Sequence, residues 1–281
     1  MLTFPNIKIN IGLNIIGKRA DGFHDIESVF YPVPFCDALE IIPADKFSFE
    51  VEGLLVTSHP EDNLCVKAYR LLEKEFKLPP VQIFLLKKIP SGAGLGGGSS
   101  DASFTLKMLN DIFELKLSIP QLENYAAILG SDCPFFIQNE PSLVTGRGTP
   151  NPLTPKSPKG DLNGIAITLV LPSVHISTKE AFANISPRQP AHSLIDSINR
   201  PVETWKDAIT NDFEVYVFKK YPALKNIKEE LYKAGAAYAS LSGSGSAIYA
   251  LSEKPLSIEE NKIFRNYYFW QGATTKSDKS L

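Results

Sequence analysis

Isoleucines at positions 7, 9 and 11 alternate with Lys8, Asn10 and Gly12 near the start of the chain, which is the two-residue period of a β-strand. A polar stretch, GKRADGFHD, interrupts the pattern before a second strand-like run, IESVFYPV. Residues 38–56 (ALEIIPADKFSFEVEGLLV) read as further strand broken by turns. The period then changes. In DNLCVKAYRLLEKEF, Leu64, Ala68, Leu71 and Leu72 fall on one helical face, and Asp62 or Asn63 stands where an N-cap belongs. VQIFLLKKI predicts another strand and runs into the glycine-rich PSGAGLGGG; SSDASFTLKMLNDIF then predicts a helix with Ala102, Leu106, Leu109 and Phe113 as its apolar stripe.

From about 139 to 164 the chain turns polar and rich in Pro, Gly, Lys and Asn, the composition of a boundary between halves. Domains of 1–150 and 151–281 are expected. Beyond the boundary, GIAITLVLP predicts a strand, and helices are expected around 203–220 and over ALKNIKEELYKAG. A small-residue segment, AAYASLSGSGSAIYAL, and a final aromatic run, NYYFW, close the pattern, and the tail TTKSDKSL is expected to fray.

Composition narrows the class. Of 281 residues, 43% are hydrophobic and 21% charged, as in a globular protein with a core that needs no disulfide staples. The formal net charge of −2 gives no basic field to collect nucleic acid or anionic lipid. Three cysteines, Cys36, Cys65 and Cys133, are odd in number and widely spaced, which argues against a disulfide framework or a zinc site and for a reducing compartment. No apolar run spans a bilayer, and the opening residues lack a charged n-region and a small-residue cleavage site. A soluble cytoplasmic protein without nucleic-acid or membrane partners is expected; its oligomeric state is not readable.

The glycine stretch is the main chemical signal. A plain linker would join independent units, but here periodic elements flank it. Gly92, Gly94 and Gly97 fit GxGxxG, yet a dinucleotide fold also needs an acidic residue about twenty positions on at a strand end, and that region falls inside or just past a helix. No Gly-Lys-Ser/Thr closes it as a Walker loop. What remains is a loop whose glycines aim amides into one concavity at a helix start, where the dipole favours an anion. Ser99 and Ser100 add hydroxyls there. A polyphosphate suits such a site better than tight packing alone explains so many glycines.

PSGAGLGGGSSDA resembles the phosphate loop of the GHMP kinase superfamily: Pro, three variable residues, Gly-Leu-Gly, then small residues and Ser-Ser. Lys8 to Asn10 with GKRADGFHDIES, then GSDCPFF, NDFE at 211–214 and LSGSGSAIYAL at 241–251 are similar to that superfamily's other landmarks in the same order. They are most similar to those of its branch that phosphorylates a cytidine diphosphate-linked polyol in isoprenoid precursor synthesis by the non-mevalonate route. The resemblance implies an α+β, two-domain GHMP kinase fold. Its N-terminal half would be like the second domain of ribosomal protein S5 and bind ATP. Its C-terminal half would be ferredoxin-like and bind the acceptor, and the last strand is free to return to the first domain.

The resemblance also implies site residues. The ATP loop would comprise Pro90, Ser91, Gly92, Ala93, Gly94, Leu95, Gly96, Gly97, Gly98, Ser99 and Ser100. Asp132, by residue type alone a turn carboxylate, would meet the acceptor hydroxyl as base or as positioning group. Lys8, by type alone a snorkelling surface lysine, would join it and neutralise charge on the phosphoryl oxygens. Phe23 and Phe182 would wall a flat pyrimidine with His24 reading its edge; the family often has Tyr in place of Phe23, so a hydroxyl contact is lost. Asn10 would contact the base or the polyol. Ser242 and Gly243 lie in a second small-residue loop that by itself reads as a tight hairpin, with Ser244 beside them; in the superfamily this loop closes on the site. Magnesium should accompany ATP, with no certain protein ligand and Ser100 the one candidate. The rivals are a sugar, homoserine or mevalonate kinase, a non-catalytic nucleotide sensor, and an oxidoreductase.

Overall fold

A computed structural model of the chain describes residues 1–54, 59–146, 148–152, 162 and 164–274. Contacts group the chain into two compact units assembled from separated stretches: Met1–Lys8, Phe35–Ser91 and Gly96–Glu140 in one, Ile9–Pro34, Gly92–Leu95 and Pro141–Leu281 in the other. From composition a single boundary is expected near residue 150. Within the polar stretch around it, Ser142–Gly146 and Thr149–Pro152 pair as antiparallel strands. Residues 147, 153–161 and 163 lie outside the described residues, as do 55–58 and the tail 275–281 expected to fray.

The first unit is a four-stranded sheet under helices. The strand order is Leu2–Thr3, Ala38–Pro43, Val81–Lys87, Ser48–Gly53, antiparallel except for the last pair. Val81, Ile83 and Leu85 point from one face of the central strand into a core with Tyr69, Leu72, Leu106 and Leu109 from the helices Leu64–Phe76 and Gly97–Ile112. Burying such a side chain contributes roughly 1.5–3 kcal/mol, and the strand's alternation sets which ones are buried. Of the two candidate caps, Asn63 is the one used: its side chain accepts from the Cys65 amide at 2.8 Å. The helix Ile119–Leu129 starts with a Ser118/Gln121 capping box.

The second unit holds two sheets. One runs Asn6–Lys18, His24–Cys36, Ser142–Gly146, Thr149–Pro152. The other, fully antiparallel, has Tyr238–Leu241, Ile248–Ser252, Ala166–Leu171 and Tyr268–Ala273 as spatial neighbours. Numbered along the chain, that is the 4-1-3-2 order of a ferredoxin-like sheet. Phe213–Lys220 and Pro222–Lys233 bury Phe213, Val217, Leu224, Ile227 and Leu231 in its core, whereas the second crossover among the described residues has only a 3₁₀ turn, Phe264–Asn266. Two expectations change. The final strand pairs with Ala166–Leu171 in this sheet and does not return to the N-terminal half. The helix expected over 203–220 is interrupted: Trp205–Ala208 ends before an extended segment in which the Leu13 amide donates to Thr210 O and the Asp212 amide to Leu13 O. Those bonds divert the backbone before Phe213 resumes the helix. The fold is α+β, as expected.

Candidate active site

Helices and strands of the first unit bring Lys8 and Asp132 together. Lys8 lies on the strand Asn6–Lys18 between Ile7 and Ile9 and is only 3% exposed, so it does not snorkel. Asp132 lies in the turn after Ile119–Leu129 and keeps a third of its side chain exposed. The Lys8 ammonium lies 3.4 Å from Asp132 Oδ2. Ser103, on the helix Gly97–Ile112, donates to Cys133 O at 2.7 Å and to Ser99 O at 2.9 Å, tying the aspartate's turn to the helix after the glycine loop.

That helix begins at Gly97, with Gly96 as N-cap in the left-handed region at φ +71°. A Cβ on Gly96 would stand 3.0 Å from the Phe136 ring and 3.3 Å from Lys8 Cε, so glycine there makes room for the lysine as well as for the turn. The Ser100 amide is taken by Gly96 O at 2.9 Å. The amides of Gly97, Gly98 and Ser99 have no intrahelical acceptor, as at any helix start. Ser100 Oγ is buried and has no hydrogen-bond partner among the described residues. Pro90 is half-buried and Ser91 exposed at the turn before the loop.

Beneath this helix start lies a charge cluster that the motifs did not announce. Lys87 is buried; its ammonium donates to Asp37 and, at 2.7 Å, to Asp101 Oδ2. Asp37 Oδ1 also accepts from the amides of Lys88 (2.5 Å) and Ile89 (2.9 Å), the residues just before Pro90. A Cβ on Gly97 would stand 3.2 Å from Lys87 Nζ, which places the cation directly under the first residue of the helix. Asp101, near the start of the helix, points into this cluster, and among the described residues its Oδ1 has no hydrogen-bond partner. A signal was available: Lys87 continues the inward face Val81, Ile83, Leu85, and a lysine at an inward position needs carboxylates. Burial would lower the Lys87 pKa, but Asp101 and Asp37 outweigh it and hold it raised.

Burial pushes Asp101 up to about 7, with Asp37 adding to the shift and Lys87 opposing it. A carboxyl whose folded pKa is raised stabilises fully below its unfolded value and loses that contribution as pH rises through the folded one. The parent protein should therefore lose stability relative to Asp101→Asn between pH 4 and 7 as measured by urea unfolding. A pH-independent difference between the two would contradict this.

In the second unit, the hairpin loop between Tyr238–Leu241 and Ile248–Ser252 clasps Gly92–Leu95. Ser242 Oγ donates to Gly94 O at 2.8 Å and accepts from the Asn10 amide at 3.3 Å; the Ala247 amide donates to Ala93 O at 3.1 Å. A Cβ on Gly94, at φ +80°, would stand 1.9 Å from Ser242 O. The turn is a hairpin, as its composition predicts, and it packs on the glycine stretch. Gly243 lies against Gly94 and Asn10, and Asn211 fixes the loop by donating to Leu241 O and Gly243 O at 2.8 Å each. The Ser244 hydroxyl pairs with that of Thr178 at 3.0 Å. Ala93 and Leu95 are buried, and Gly92 faces His175. The Asn10 side chain donates to Ser28 Oγ at 3.0 Å. His24 stacks on Phe182 with ring centroids 4.9 Å apart, and Phe213 meets Phe182 edge-on. One face of Phe182 is thus taken by the imidazole. Phe23 is 51% exposed on a turn where its amide donates to Asp21.

Two family models match the chain: the GHMP kinase N-terminal domain over residues 63–140 and the GHMP kinase C-terminal domain over 194–265. The fold agrees with a Methanococcus jannaschii mevalonate kinase, at TM-score 0.71 and 13% identity over 98% of both chains. The class is therefore that of the GHMP kinases. A relative from Bacteroides thetaiotaomicron, 4-diphosphocytidyl-2-C-methyl-D-erythritol kinase, is 51% identical over 97% of this chain and 99% of its own. One of the same name from Parabacteroides distasonis is 45% identical over 97% and 99%. A solved 4-(cytidine 5'-diphospho)-2C-methyl-D-erythritol kinase superposes at TM-score 0.82 with 27% identity, covering 97% of this chain and 98% of the other. Within the GHMP kinases, the chain belongs to the 4-diphosphocytidyl-2-C-methyl-D-erythritol kinase family.

Proposed function

We propose that the chain transfers the γ-phosphoryl group of ATP to the 2-hydroxyl of 4-diphosphocytidyl-2-C-methyl-D-erythritol, giving the 2-phosphate and ADP, in cytoplasmic isoprenoid precursor synthesis by the non-mevalonate route. The observation that carries this reading, beside the relatives' shared name, is a buried lysine 3.4 Å from a partly exposed aspartate, beside a helix start rich in glycine and serine. The alcohol oxygen bonds to the γ-phosphorus as the bond from phosphorus to the β,γ-bridging oxygen breaks. The alcohol's proton passes to Asp132, and ADP leaves. Lys8 faces both the carboxylate and the charge on the transferring oxygens. In a loose transition state the attacking oxygen needs little charge early, so positioning contributes more than proton removal.

The loop from Pro90 to Ser100 would hold the polyphosphate, with the amides of Gly97 to Ser99 as donors. Magnesium, when bound with the nucleotide, would neutralise the phosphates, and the buried Ser100 hydroxyl, which has no partner among the described residues, fits a role toward it. Phe23, His24 and Phe182 would recognise the cytosine, and Asn10, Ser242 and Gly243 would support the acceptor. The test is a coupled ADP-release assay with the cytidylyl methylerythritol acceptor, mevalonate and homoserine in parallel. Turnover with the first alone, abolished in Lys8→Ala, is expected. Turnover only with mevalonate or homoserine, or equal rates in Lys8→Ala, would overturn the assignment.

A further inference from the structure

The strand carrying Lys8 and the segment carrying Asp132 are joined a second time. Asn6 precedes Lys8 by two residues, so both side chains leave the same face of the strand. Asn139 ends the short helix Phe135–Gln138, which begins three residues after Asp132. The two asparagines bond reciprocally: Asn139 Nδ2 donates to Asn6 Oδ1 at 2.7 Å, and Asn6 Nδ2 donates to Asn139 Oδ1 at 3.2 Å. The other hydrogen of Asn6 Nδ2 goes to Ile7 O at 2.8 Å, so the amide is held in one orientation.

Asn139 reaches this position because its backbone adopts φ +57°, the left-handed region that asparagine tolerates better than most residues. Its own amide donates to Phe135 O at 2.8 Å, closing the helix. The chain therefore spends a left-handed turn, where glycine would serve, on a residue whose side chain reaches back to the lysine's strand.

We propose that the Asn6–Asn139 pair is a positioning staple for phosphoryl transfer: it fixes the angle between the Lys8 strand and the Asp132 segment so that the ammonium and the carboxylate converge on one acceptor hydroxyl. The ion pair at 3.4 Å acts as a hinge, because a flexible lysine stem can follow a moving carboxylate. A planar, two-bond amide pair two residues away removes that freedom. The inference rests on the role proposed for Lys8 and Asp132 and adds residues that touch neither substrate. Transfer geometries tolerate errors of only about 0.5 Å, and a 1 Å error can cost about a hundredfold, so losing the staple should cost roughly tenfold.

Asn139→Gly is the cleanest probe, since glycine accepts φ +57° and only the side chain is lost. The expected result is a kcat about tenfold lower with KM for ATP and for the cytidylyl acceptor within about twofold of the parent. Asn6→Ala should match it, and the double variant should fall no further than either single one, because one unit has been removed. Added to Asp132→Asn, Asn139→Gly should have no further effect on kcat, a result that general destabilisation would not give. A folded Asn139→Gly with unchanged kcat, or a loss that adds in full to that of Asp132→Asn, overturns the staple while leaving the proposed transfer chemistry standing. Full turnover in Asp132→Asn alone overturns that chemistry and the staple with it.

Discussion

Asp132→Asn is expected to lower kcat by at least about a hundredfold while ATP affinity stays within about twofold, because general-base assistance is typically worth 10²- to 10⁴-fold. The substitution keeps the shape of the side chain and its place on the turn after Ile119–Leu129, but it removes the proposed proton acceptor and the charge facing Lys8. A hundredfold loss corresponds to about 2.7 kcal/mol in the barrier. Because the Asp132 side chain keeps a third of its surface exposed and Lys8 almost none, the two partners should respond differently. Losing the carboxylate takes a counter-charge from beside a buried ammonium, whereas Lys8→Met leaves a carboxylate that water still reaches. Asp132→Asn should therefore also lower the melting temperature more than Lys8→Met does. Single-turnover kinetics with saturating ATP isolate the chemical step. A rate within about threefold of the parent would remove Asp132 from the mechanism.

Part of the candidate site's local geometry is legible in the sequence, for a physical reason. The glycine loop and the helix after it are local: the amides that would meet a phosphate lie within a few residues of one another, so their spacing in sequence is their spacing in space. Of the expected stripe, Ala102, Leu106 and Leu109 lie on the buried face of Gly97–Ile112, while Phe113 follows as its half-buried C-cap. Non-local pairings were less legible. Nothing in the run GSDCPFF says that Ser103, thirty residues earlier, holds the Cys133 carbonyl, and nothing near Asn6 names Asn139 as its partner. The helix expected over 203–220 failed for the same reason, since the Leu13 bonds that interrupt it come from the other end of the chain. By type alone Lys8 reads as a snorkelling surface residue, whereas the resemblance pairs it with Asp132, and in the structure it is buried and 3.4 Å from that carboxylate. Its burial follows from Ile7 and Ile9 being covered on one face while the strand is packed on the other.

Lys87→Met is expected to lower the free energy of unfolding by about 3–5 kcal/mol at neutral pH, because it leaves buried carboxyl groups without their cation. The methionine fills most of the lysine's volume, so the loss is electrostatic and not a cavity effect. The two aspartates should not suffer equally. Asp37 keeps the amides of Lys88 and Ile89, which hold a charge well. Among the described residues, Asp101 keeps no hydrogen-bond donor to either oxygen once the ammonium is gone, since Oδ1 has none already. Burial already raises its pKa to about 7, and losing Lys87 removes the one influence pulling it down. Asp101 in the variant should thus stay protonated at neutral pH and blunt part of the damage, and the deficit should shrink further toward pH 4 as the parent's advantage from the ion pair fades. Asp101→Asn in the Lys87→Met background should then recover stability, whereas Asp37→Asn in that background should cost more, because it sacrifices acceptors for the two amides that set the backbone before Pro90. Urea unfolding of the four proteins at pH 5 and pH 8 reads all of this. A Lys87→Met deficit below about 1 kcal/mol at pH 8, or recovery by Asp37→Asn instead of Asp101→Asn, would show that the cluster is not what anchors the start of the loop helix.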